Sequence, residues 1–187
     1  MAVGRKVLSQ REVSWSNVTT STRFRIFLSH SSSLEDREVV LALRTLLRKR
    51  KFDVYMAEFD VQPGKRLLDK VEKNLKACQA VVAVITRNSS RSQWVLFELG
   101  MANLSRIPVI PLVQLGSDVP KPLAGIEYVT FERVDPKLAF DVTFRHLSTL
   151  RDQWQALQGY KELAMVGGLL AGLKLLDYLD ERHRKPS

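Results

Sequence analysis

At 187 residues, 45% hydrophobic and 26% charged, the chain has the make-up of a globular protein with one packed domain plus extensions, which excludes disordered and fibrous classes. Its net charge of +9 admits an anionic partner, but the one dense basic run, LRKRK at 47–51, ends a predicted helix without interleaved aromatics, so nucleic acid is not expected. Cys78, the only cysteine, excludes a disulfide framework and a CxxC metal site; with no signal-peptide-like apolar core near Met1, a cytoplasmic protein is expected.

Residues 1–22 lack periodicity and read as a flexible N-terminal arm. RFRIFLS (23–29) reads as a strand, followed over 32–51 by a helix in which Val39, Val40, Leu43, Leu46 and Leu47 recur at helical spacing. Ser32 and Glu35 form a capping-box pattern at its start. FDVYMAE (52–58) is a second strand, and FDVQPGK (59–65) is a turn carrying Pro63 and Gly64. A helix over 66–78 leads to AVVAVIT (80–86), whose continuous apolar character suits the centre of a parallel sheet.

Ser90 and Gln93 form a second capping-box pattern, starting a helix near Arg91. IPVIPLVQL (107–115) and IEYVTFE (126–132) supply two more strands, with Pro108 and Pro111 pointing to a less central place for the fourth. A long helix then covers 136–157. This alternation predicts an α/β fold: a flavodoxin-like, doubly wound, five-stranded parallel sheet of order 2-1-3-4-5, with helices on both faces. Ligands in such a fold bind beyond the carboxyl ends of strands 1 and 3, where SHSSS (29–33) and TRNSS (86–90) lie, with the turn after strand 2 beside them.

Glu98 is the only charged side chain between Arg91 and Arg106, and Trp94 shares its helix face. Two readings stay open: a structural carboxylate paired with an arginine, or a reactive carboxylate in an apolar pocket. Trp94 is equally compatible with core packing and with a ligand platform. Ser29, His30 and Ser31 either cap the next helix or border a nucleotide, with helix amides available to a diphosphate. GKR at 64–66 is not a phosphate-binding P-loop, since Phe59 stands where the glycine is required. No metal is expected, because no cluster of ligating residues is evident.

FRIFLSHSS, FDVQPGKRL and SQWVLFELG together resemble, in order and spacing, the hallmark segments of Toll/interleukin-1 receptor (TIR) domains over residues 23–157. The Ser-His form is more similar to bacterial and archaeal members. The resemblance implies NAD+ as substrate rather than cofactor, with Glu98 catalytic in cleaving the nicotinamide–ribose bond to give nicotinamide and ADP-ribose or a cyclic relative. It implies Ser29, His30, Ser31, Asp60 and Trp94 as substrate-binding residues. Asp60, Pro63 and Gly64 would belong to the BB loop, which gates the pocket and mediates self-association. A defence or signalling effector activated by assembly is the implied role, and a non-catalytic adaptor acting through homotypic association or a partner protein is the alternative.

The segment 158–187 lies beyond the resemblance, as an apolar helix and basic tail. LAMVGGLLAGL (163–173) is uncharged, yet shorter than the roughly 18–20 residues that span a bilayer. Packing on the domain or a second copy, with Gly168 and Gly172 permitting close approach, is expected over membrane insertion.

Overall fold

The computed structural model describes residues 23–57 and 66–183, so the expected arm at 1–22 lies outside the described residues. In chain order the regular elements are β1 (Arg25–Ser29), α1 (Arg37–Lys49), β2 (Asp53–Tyr55), α2 (Leu67–Lys76), β3 (Ala80–Ile85), α3 (Gln93–Leu104), β4 (Val109–Gln114), β5 (Val129–Phe131) and α4 (Lys137–His183). All strand pairs are parallel, in the order β2-β1-β3-β4-β5, as the alternation of strands and helices requires. Every residue of β3 is buried, matching its uninterrupted apolar sequence.

Right-handed crossovers to the left and right of β1 place α1 on one face and α2 and α3 on the other. Side chains alternate along the strands accordingly. Phe27 and Val81 pack with Val71 and Leu75 of α2 and Ala102 of α3, and farther along the same face Ala83, Ile85 and Val113 meet Val95 and Leu99 of α3. Ile26, Leu28, Val82 and Val84 point the opposite way, toward the face of α1, whose Leu43 and Leu47 are fully buried. The first turns of α4 join that face: Phe144 stacks edge-on against Phe52 and lies 4.4 Å beneath the Arg50 guanidinium. One arginine of the basic run is thus engaged in a cation–π contact.

β4 lies between β3 and β5, one strand in from the edge, the less central place its prolines point to, and both prolines are accommodated there. Backbone geometry explains why. The Pro108 carbonyl accepts from Val81 N–H on the β3 side, and Leu115 N–H donates to Phe131 O on the β5 side. By this alternation Pro111 faces β5, whose ladder begins only at Leu112, so its missing N–H removes no ladder bond.

Both expected capping boxes are replaced. The turn Leu34–Asp36 is a 3-10 helix preceded by Ser33, and Ser89–Arg91 is another, so each α-helix starts later than expected. The final helix also differs, running unbroken from Lys137 to His183 instead of ending near 157. Leucine, alanine, methionine and lysine dominate 161–176, and their helix propensity outweighs a cost of about 1 kcal/mol for each glycine. The chain divides into two compact units at Ser148 and Thr149. In the second, Tyr160 and Leu163 are exposed. Among the described residues no helix is long and apolar enough to cross a membrane.

Candidate active site

The carboxyl ends of β1 and β3 meet over α3. Ser29, the last residue of β1, is held in register opposite Ala83 and donates from Oγ to Glu98 Oε2 at 2.5 Å. The turn leading into α3 is fixed by its own polar groups: Thr86 N–H donates to Ser89 Oγ at 2.6 Å, and Ser89 Oγ donates to the Val84 carbonyl at 3.0 Å. Ser92 then caps α3, its Oγ accepting from Val95 N–H. Ser90, the residue expected to cap, instead donates to the Arg87 carbonyl, because the intervening 3-10 turn moves the first α-helical turn onward.

Within α3, Glu98 shares the buried stripe with Val95, Leu99 and Ala102, which turns its carboxylate inward. Its relative exposure is 2%. Burial pushes its carboxyl up to about 7, while hydrogen bonds from Ser29 and the Trp94 side chain pull the other way. Among the described residues, no cationic side chain forms an ion pair with Glu98. The arginine-paired reading of this residue finds no partner among the described residues.

A second buried carboxylate stands nearby in sequence to the Ser-His loop. Asp36 is 1% exposed and accepts from Ser31 Oγ at 2.5 Å and Thr86 Oγ1 at 2.6 Å through Oδ2, and from Arg133 Nη2 at 2.6 Å through Oδ1. Arg133 also donates to the Glu35 carbonyl and to Gln114 Oε1. Burial opposes ionisation of Asp36, yet the hydroxyls of Ser31 and Thr86 and the Arg133 guanidinium together hold its pKa below the usual value. Sequence reasoning missed Asp36, Thr86 and Arg133. The available clue was Asp36 itself, a charge on the same helical stripe as Val40, Leu43 and Leu47.

The expected site residues divide into three groups. Ser29 and Trp94 reach Glu98. Trp94 also packs at the edge of the Phe27–Val71 cluster and against Phe97, with ring centroids 5.8 Å apart. His30 and Ser31 line an open cleft of about 220 Å³ with Ser32, Ser33, Leu34 and Arg37. The Ser31 hydroxyl serves Asp36 rather than Glu98, and His30 Nδ1 lies 2.7 Å from the Ser31 carbonyl. The helix amides are less available than expected, since Ser33 N–H donates to Ser31 Oγ and Asp36 N–H to the Ser33 carbonyl. Asp60, Pro63 and Gly64 lie outside the described residues. Among the described residues no cluster of ligating side chains could hold a metal.

Known proteins share this architecture. The TIR domain of a Toll-related receptor from Hydra magnipapillata superposes with a TM-score of 0.57 at 18% identity, covering 66% of this chain and 97% of that one. A CMP N-glycosidase from Clostridium botulinum superposes at 0.50 and 15% identity, covering 65% and 98%. In sequence, 91 residues are 25% identical to a probable 2′ cyclic ADP-D-ribose synthase of Brachypodium distachyon, covering 49% of this chain. The chain spans 41% of the length of that curated relative. Residues 26–147 match the TIR domain family, which takes in both Ser29 and Glu98, and the chain belongs to that family.

Proposed function

We propose that the protein is an NAD+ nucleosidase that cleaves the nicotinamide–ribose bond, releasing nicotinamide and ADP-ribose or a cyclic ADP-ribose-type product. The observation that carries this reading is the state of Glu98: a buried carboxylate with no cationic partner among the described residues, hydrogen-bonded to Ser29 at the end of β1. Nicotinamide in NAD+ is already cationic and departs neutral, so one carboxylate suffices, in contrast with glycoside hydrolysis by an acid and a base. Ionised Glu98 would stabilise the positive charge growing on the ribosyl carbon, an interaction strengthened by its apolar surroundings. The likeness to a probable cyclic ADP-ribose synthase supports the same chemistry.

At 2% exposure the carboxylate meets substrate only after local opening. Activation by self-assembly fits that requirement, and a defence or signalling role fits activation. The closed carboxylate also favours a second reading, a non-catalytic adaptor acting by homotypic association. Concentrated or artificially clustered protein incubated with NAD+, with products separated by chromatography, distinguishes them. Nicotinamide release is expected; intact NAD+ after prolonged incubation with folded, clustered protein would reject the enzyme reading.

A further inference from the structure

The Asp36 network lies beside the Glu98 site without touching it. Ser29 is anchored by the β1 ladder, opposite Ala83, so its bond to Glu98 has independent support. The residues that follow have no ladder. Among their tethers are Ser31 Oγ to Asp36, Ser33 N–H to Ser31 Oγ, and Asn88 Nδ2 to Ser33 Oγ at 3.2 Å. Through Thr86, the same carboxylate holds the end of β3, and through Arg133 it is tied to the segment after β5. One buried side chain therefore joins three strand ends around the cleft lined by His30 and Ser31.

We propose that Asp36, clamped by Arg133, is a positioning residue that holds the 30–33 loop in the shape that receives the nucleotide, while Glu98 is held separately by Ser29. The catalytic part of this inference rests on the proposed NAD+ cleavage; the structural part does not. Removing the Asp36 charge loosens the loop at Ser31 and leaves the carboxylate of Glu98 with its hydroxyl partner. Substrate binding suffers and the bond-breaking step does not.

The test compares wild type with Asp36→Asn, which preserves shape. Amide exchange at 30–33 is expected to quicken about tenfold, the loss of one charge-assisted hydrogen bond, while the interior of β3 follows only the variant's loss of global stability. Unaltered exchange at 30–33 would overturn the positioning role whatever the protein does with NAD+. In clustered protein, KM for NAD+ is expected to rise about tenfold while kcat stays within about threefold and its pH midpoint stays in place. A fall in kcat at constant KM would overturn it as well. Should Asp36→Asn fail to fold, Thr86→Val removes one hydroxyl at constant volume and is expected to move exchange and KM in the same direction by a smaller factor. Absence of nicotinamide release by wild type would count against NAD+ cleavage alone, since amide exchange still decides the loop.

Discussion

Glu98 and Asp36 are equally remote from solvent, at 2% and 1% exposure, and their carboxyls are displaced in opposite directions. Both carry the penalty of burial. Asp36 receives two hydroxyls and a guanidinium, which together outweigh that penalty and keep it ionised. Glu98 receives the Ser29 hydroxyl and Trp94, which do not, so its pKa rises to about 7. Burial alone thus says little about a carboxylate's role. The donors around it decide whether it is a finished structural group or one left in need of a positive charge.

The largest expected break in this comparison is chemical. Glu98→Gln keeps the shape of the side chain and its bond with Ser29 but removes the charge, so kcat for NAD+ cleavage is expected to fall about a hundred- to a thousandfold, read by nicotinamide release. Near-normal turnover in a folded variant would remove Glu98 from the reaction.

Stability should separate the same two residues by sign. Asp36→Asn is expected to cost roughly 2–3 kcal/mol at pH 7, a figure already reduced for the partly exposed Arg133. Its depressed pKa gives stability that is present above the unfolded value near 3.8 and is lost as pH falls through the lower folded value. Glu98→Gln should instead stabilise, by roughly 1–3 kcal/mol at pH 8, because a raised pKa means the folded state loses stability as pH climbs from about 4.5 to about 7. Denaturant unfolding of both variants at pH 4.5 and pH 8 reads this; a Glu98→Gln gain that does not grow with pH would contradict the assigned pKa.

The smallest effect belongs to Ser29. Its hydroxyl lowers the Glu98 pKa, so Ser29→Ala should raise it further, moving the acidic limb of the kcat/KM profile toward alkaline pH by less than about one unit. An unmoved limb would show that Ser29 does not tune Glu98.

The sheet was legible because strand burial is written locally, in runs such as AVVAVI, and because alternation of elements restricts topology so strongly. Glu98 was legible for a similar reason: a lone charge in an apolar helix stands out. How β4 accommodates Pro111 was not legible, because that depends on where β5 begins pairing, a long-range fact absent from the local sequence. The capping residues misled by four positions at α1 and two at α3, since 3-10 turns and α-helices begin with the same residue types. The Asp36–Arg133 pair was hidden most deeply. Its members stand 97 residues apart, and only the assembled sheet brings the segment after β5 to the start of α1. The expected role of the BB loop at Asp60, Pro63 and Gly64 concerns residues outside those described.

A carboxyl with a pKa of about 7 is a half-filled proton store at neutral pH. A cationic nicotinamide ring settling against it would favour the ionised form, so that the store would empty by a fraction of a proton per site. On the proposed reading, binding of NAD+ to such a site would then also be a proton-release reaction. Its heat depends on the ionisation enthalpy of the buffer, and its affinity weakens as the medium acidifies. On the proposed reading, the pocket that would serve bond cleavage would thereby also make the first encounter with NAD+ sensitive to pH, before any bond is broken.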